Sequence, residues 1–123
     1  MPATLNLVHP SPAVRQAFDR AMAREPIAVR TFDSAEQFLR AVAADVGGCV
    51  VVPANLPGAG TRALIQTLRA RHHALSIVVL GATADVATAV DLVRAGASEY
   101  LAPPVSPIRL RTVVRKLLAV SQR

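Results

Sequence analysis

The chain has 123 residues, 52% of them hydrophobic, with fourteen basic against eight acidic side chains and a net charge of +6. That length fits one domain of about 100–150 residues around a single core, and no stretch approaches the roughly 20 apolar residues of a membrane span. The N-terminus lacks the basic-then-apolar pattern of a secretory signal, and the one cysteine, Cys49, reads as a small buried hydrophobe in a reducing cytoplasm. The positive charge is nearly all arginine and is dispersed over several helices. With only Phe18, Phe32, Phe38 and Tyr100 as aromatics, stacking on single-stranded nucleic acid is a poor fit.

Thr4–Val8 reads as a first strand, running into His9-Pro10-Ser11-Pro12. Val14, Ala17, Phe18, Ala21 and Met22 then recur at helical spacing until Pro26. Ile27–Phe32 is a second strand. Asp33-Ser34-Ala35-Glu36 is a capping signal, with Asp33 or Ser34 as the cap, for a helix carrying Ala35, Phe38, Leu39, Val42 and Ala43 on one face. Gly47-Gly48 breaks the chain before the third strand, Cys49–Val52, which ends at Pro53. Leu64, Ile65 and Leu68 mark a third helix, and Ser76–Leu80 a fourth strand. Asp85 is placed to cap a fourth helix, with Val86, Ala89, Val90 and Val93 as its expected inner face and Gly96 as its stop. Glu99–Leu101 is a fifth strand leading into Ala102-Pro103-Pro104. Pro107 opens a last helix whose Leu110, Val113, Val114, Leu117 and Leu118 point inward.

Five strands alternate with five helices, and most strands are continuous apolar runs. That pattern is an α/β domain over residues 1–123, a parallel sheet covered on both faces. Ligands and catalytic groups of such a sheet gather outside the carboxyl ends of the strands. Here three of those ends run into prolines and offer no carboxylate, no lysine and almost no hydroxyl.

In order and without large gaps, these segments resemble the receiver domain of bacterial two-component response regulators. Val8–Arg15 is similar to the family's first strand and acidic turn, closest to receivers that end that turn in Ala-Val-Arg. Cys49–Gly58, ending Asn55-Leu56-Pro57-Gly58, is similar to the third strand and its loop. Ala84-Asp85-Val86 and Arg94-Ala95-Gly96-Ala97-Ser98-Glu99-Tyr100-Leu101 are similar to the fourth helix and fifth strand. The resemblance implies a flavodoxin-like doubly wound sheet of five parallel strands in the order 2-1-3-4-5 with five helices. It also implies a cis Pro103-Pro104 bond, where the family holds a lysine–proline bond cis.

The same resemblance implies that the family's chemistry is missing. The two acids after the first strand fall on His9 and Pro10, and the phosphoaccepting aspartate falls on Pro53. The hydroxyl residue falls on Gly81, and the lysine on Pro103. Magnesium takes oxygen ligands, carboxylates usually among them, and neither His9 nor Pro10 supplies one. Proline has no nucleophile, Gly81 cannot bind a phosphoryl oxygen, and Pro103 cannot pair with its charge. The expectation is a degenerate receiver, or pseudoreceiver, that is not an enzyme and takes no metal or cofactor. Tyr100 matches the aromatic that moves on activation in the family; with no hydroxyl at position 81 to follow, one fixed rotamer is expected. His72-His73 reads as a solvated helix-ending turn, and His9 as a surface residue at the sheet edge.

What is left is surface. In receivers the face of the fourth helix, fifth strand and fifth helix commonly makes the dimer or partner contact, and here it would carry Asp91, Arg94, Glu99, Arg109, Arg111, Arg115 and Lys116. A two-fold homodimer would set Arg94, Arg111 and Arg115 against Asp91 and Glu99 of the other copy, since arginine holds carboxylates bidentately. With the apolar residues committed to the core, that contact is expected to be largely polar. The function read from these residues is a phosphorylation-independent, cytoplasmic interaction or dimerisation module of an atypical bacterial response regulator. It would form the N-terminal part of a transcription regulator whose DNA contacts lie in a further domain. Two alternatives are a stand-alone adaptor docking on a signalling partner, and a sensor taking an apolar ligand at the uncharged mouth of Pro10, Pro53, Gly81 and Pro103. No membrane partner is expected.

Overall fold

Strands without polar alternation need cover on both sides, and the structure supplies it. A computed structural model describes residues 3–41, 48–56, 60–71, 75–82 and 85–121. Val42, Ala43, Gly47, Pro57, Gly58, His72, His73 and Ala84, which enter the expectations above, lie outside the described residues. The strands are β1 (Ala3–Val8), β2 (Ile27–Phe32), β3 (Cys49–Pro53), β4 (Ser76–Leu80) and β5 (Glu99–Leu101). They form one parallel sheet in the order β2-β1-β3-β4-β5. The helices are α1 (Pro12–Met22), α2 (Ala35–Ala41), α3 (Gly60–Arg71), α4 (Val86–Ala95) and α5 (Pro107–Ser121). This is the expected doubly wound architecture.

Strand alternation sorts the core into two layers. Leu5, Leu7, Cys49, Val51, Val78 and Leu101 face Phe18 and Met22 of α1 and Leu110, Val114, Leu117 and Leu118 of α5. Val8, Val50, Val52, Ile77 and Val79 face Phe38 of α2, Leu64, Ile65 and Leu68 of α3, and Leu92 of α4. Each such aliphatic side chain contributes about 1.5–3 kcal/mol on full burial, so the sheet holds without help from charge. Cys49 is part of this core, and burial pushes its thiol up to about 12, which leaves it protonated and inert.

Helix ends follow the local sequence. Ser11 Oγ accepts from the Val14 N–H at 3.3 Å, with Pro12 in the first helical turn. Of the two candidates at α2, Ser34 is the cap: its Oγ accepts from the Gln37 N–H at 3.1 Å, and Gln37 Oε1 accepts from the Asp33 N–H at 2.8 Å. The reciprocal partner is therefore Gln37, not Glu36. Asp85 caps α4, accepting from the Ala87 N–H at 3.0 Å and the Thr88 hydroxyl at 2.7 Å. Those bonds hold its carboxyl below the usual carboxylate range. Gly96 ends α4 at φ 128°, a backbone state that disfavours any side chain.

Arg69 of α3 was not singled out by its sequence context, yet it ties three segments together. Its guanidinium donates to the carbonyls of Leu75 and Gly96, the latter at 2.7 Å, and to Ser98 Oγ at 3.1 Å. Ser98 Oγ in turn accepts from the Ile77 N–H at 3.0 Å.

The expected inner face of α4 is corrected. Leu92 alone among its large side chains is buried, while Val86, Val90 and Val93 are 74%, 43% and 48% exposed. Burial of Leu92 in the core sets the rotation of α4 about its axis, and an ion pair between Arg62 of α3 and Asp91 accords with it. With Asp91 turned toward α3, the three valines fall on the opposite flank at ~100° per residue. No helix among the described residues is long and apolar enough to cross a membrane.

Candidate functional site

Parallel strands deliver their carboxyl ends to one edge of the sheet, and the five singled-out positions sit on four of those ends. His9 follows β1, and its N–H donates to the Phe32 carbonyl at 2.9 Å. The ring is held within its own turn: Nδ1 accepts from the Ser11 N–H at 3.0 Å, and Arg15 donates to the His9 carbonyl at 2.6 Å. Burial, and secondly the Arg15 charge, lower its pKa from the ordinary histidine value. His9 is thus a partly buried residue at the sheet edge, bound up with the start of α1. Pro10 beside it is exposed.

Pro53 ends β3, buried and in register with Leu80 of β4. Its carbonyl accepts from the Thr61 hydroxyl at 2.7 Å, and the same Oγ1 accepts from the Leu56 N–H at 3.1 Å. Thr61, itself buried, thereby fastens the exit of β3 to the first turn of α3. Sequence reading passed over it; the only signal was a hydroxyl residue directly after Gly60 at a helix start.

Gly81 follows β4 and donates its N–H to the Leu101 carbonyl at 2.8 Å. Tyr100 of β5, half-buried against the core beneath α2–α4, lies directly over it. A Cβ at Gly81 would meet the Tyr100 hydroxyl at 2.5 Å and ring carbons at 2.7 and 2.8 Å. The ring therefore occupies the space that any side chain at position 81 would claim. Pro103 is exposed beyond β5, and the Pro103-Pro104 bond is cis, as expected. Among the described residues no three His, Cys, Asp or Glu side chains converge on a point where a metal ion would sit.

Six of the seven surface residues separate into two groups, and the seventh, Glu99, is half-buried on β5. Asp91 is paired with Arg62. Arg111 donates to the Ala21 carbonyl at 3.3 Å, and Arg115 grips Glu25 with both ends of its guanidinium, which holds that cation's pKa up. Both therefore turn toward α1. Arg109 and Lys116 lie on the other flank of α5 at ~100° per residue, toward the β5 edge, where Arg94 and the valine flank of α4 also face.

Comparison with known proteins agrees with this geometry. The model of the response regulator receiver domain matches residues 6–115. The transcriptional regulatory protein FixJ of Azorhizobium caulinodans is 28% identical over 98% of the chain, which spans 58% of that protein. The DNA-binding transcriptional regulator NtrC of Escherichia coli K12 is 27% identical over 75% of the chain and is matched over 20% of its own length. The crystal structure of a response regulator receiver domain protein from Clostridium thermocellum superposes with a TM-score of 0.89, covering 98% of this chain and 97% of that one, at 16% identity. A match over nearly the whole chain, on a parallel sheet in the order β2-β1-β3-β4-β5, places it: this chain belongs to the response regulator receiver domain family.

Proposed function

We propose that this receiver signals by contact and without phosphoryl transfer. On this reading the family's acid pair, phosphoacceptor, hydroxyl and lysine positions are His9, Pro10, Pro53, Gly81 and Pro103. The observation that carries it is the Tyr100 ring standing over Gly81. The aromatic is packed in place with no hydroxyl beneath it to answer a phosphoryl group. Pro53 supports the same reading, since it brings no nucleophile to the end of β3. The chain is accordingly read as a signalling module rather than an enzyme, with no cofactor of its own.

The contact surface of this reading is the flank of α4 that carries Val86, Val90 and Val93, rimmed by Arg94, Glu99, Arg109 and Lys116. An apolar centre within a polar rim is the ordinary anatomy of a protein interface. The opposite charges of Arg94 and Glu99 suit a two-fold contact, where each pairs with its counterpart on the other copy. The occupant is therefore a second copy of this chain. Asp91, Arg111 and Arg115 drop out of the interface because they are engaged within the chain. The chain spans little more than half of FixJ and a fifth of NtrC. Its role by extension from them is the regulatory part of a transcription regulator, with DNA contacts made by a different domain.

Sedimentation with and without acetyl phosphate and magnesium tests this. The expected result is the same dimer in both conditions. A dimer that forms only with the phosphodonor would overturn phosphorylation independence, and a monomer in both would overturn the second copy as occupant.

A further inference from the structure

Two depressions lie end to end along the seam between α1 and α5. One is an apolar cleft of about 210 Å³ walled by Val14, Phe18, Leu80, Val105 and Leu110. The other is an open groove of about 480 Å³ rimmed by Arg20, Arg24, Arg111 and Arg115, with Glu25 the one acid in its wall. Ala21 lines both, so the two meet at its side chain.

The charges in the groove are unevenly compensated. Glu25 is already held by Arg115 in a two-point fork. Arg111 reaches only a backbone carbonyl, that of Ala21, which closes α5 onto α1 at the junction of the two depressions. The side chains of Arg20 and Arg24 make no hydrogen bond or ion pair among the described residues. Three guanidinium groups thus border one groove without a carboxylate, beside a cleft lined by aliphatic carbon and a phenyl ring.

Neither half is matched by a ligand of one kind. A bare anion would leave the cleft unfilled, and a neutral apolar molecule would leave the guanidinium groups unanswered. We infer that the α1–α5 seam binds a small amphiphilic anion, its apolar body in the cleft and its carboxylate or phosphate head among Arg20, Arg24 and Arg111. The cleft alone is below the scale of small-molecule sites, about 300–1,000 Å³, but cleft and groove taken together fall within it. The planar guanidinium donors suit carboxylate and phosphate alike, so the head group is left to experiment. The groove lies at the carboxyl end of α1 and the cleft beside the exit of β4, on the α1–α5 face of the sheet, and the inference does not depend on how the domain signals.

The test titrates decanoate, decyl phosphate, decanol and inorganic phosphate into the 123-residue chain, followed by amide chemical shifts. Decanoate or decyl phosphate is expected to give saturable shifts at Ala21, Leu80 and Leu110, and whichever binds tighter identifies the head. Decanol and inorganic phosphate should each bind at least about tenfold more weakly, a difference shifts resolve readily. Arg20→Glu with Arg24→Glu, both exposed, should weaken the charged amphiphiles about tenfold and leave decanol unchanged. Ala17→Trp, at the exposed wall of the cleft, should weaken the amphiphiles and decanol together. Phosphate binding as well as decanoate would reduce the groove to a plain anion patch and overturn the inference. So would decanol binding as well as decanoate, or saturable shifts that map elsewhere. An acidic amphipathic peptide that shifts these amides where all four probes fail would make the seam a protein-docking site and overturn it too.

Discussion

Tyr100 stands in the space of a missing side chain: its hydroxyl would lie 2.5 Å from a Cβ at Gly81, inside any tolerable contact distance. Gly81→Thr must therefore either expel the ring or strain the end of β4. Overpacking of this kind costs about 1–3 kcal/mol. Tyr100 is the one tyrosine in a chain without tryptophan, so tyrosine emission reports on this position alone. The variant should show altered emission, greater acrylamide quenching and a lower denaturation midpoint. Unchanged emission and stability would show that the ring does not fill this space in solution.

Asn6 is fully buried in β1 with its carbonyl oxygen unpartnered and its amide reaching the Cys49 carbonyl only at 3.5 Å. A buried polar atom without a partner costs about 1–3 kcal/mol. Asn6→Val, which suits the strand and removes the orphan acceptor, should raise stability by about 1–2 kcal/mol in urea denaturation. A fall in stability would mean that the amide is satisfied in solution.

Stability should also decline in mild acid because of His9. Burial and Arg15 both disfavour its cation in the folded chain, so its folded pKa lies below the unfolded value of about 6.5. The unfolded chain then binds more protons as pH falls through that value, and stability drops until the folded pKa is passed. Thermal melts between about pH 7.5 and 5.5 should show a decline in the wild type that is smaller in His9→Gln. Equal slopes for the two proteins would contradict the shift.

Val90→Glu with Val93→Glu should abolish self-association, and Arg94→Glu should weaken it. Arg111→Glu with Arg115→Glu should leave it intact, because those arginines face α1. Sedimentation of the four proteins checks this. Loss of the dimer only in the arginine pair would move the contact to the α1–α5 side.

The fold was legible because strand runs, caps and breakers agree along the chain. Pro107 and Gly96 bound helices where expected, and the continuous valine runs of β3 and β4 announced a sheet covered on both faces. The α4 valines were misread for a physical reason. An apolar stripe at helical spacing looks the same whether it meets the core or another protein, and only the packed structure, with Leu92 buried in the core and Asp91 paired to Arg62, shows which way the helix is turned. The resemblance pointed to particular strand-end positions, but the closing of Tyr100 over Gly81 was not legible, since it depends on two strands meeting in register. Arg69 and Thr61 were invisible for a similar reason. Their partners are backbone carbonyls and amides of other segments, which carry no sequence signature.

The most direct test of signalling without phosphoryl transfer is the intact mass of the chain after incubation with acetyl phosphate and magnesium, for the wild type and for Pro53→Asp. With no nucleophile at position 53, the wild type should keep its mass. Pro53→Asp should keep its mass as well, because His9, Pro10, Gly81 and Pro103 still supply neither metal ligands nor phosphoryl partners. A single acid-stable, base-labile phosphoryl adduct on the wild-type chain would contradict the account.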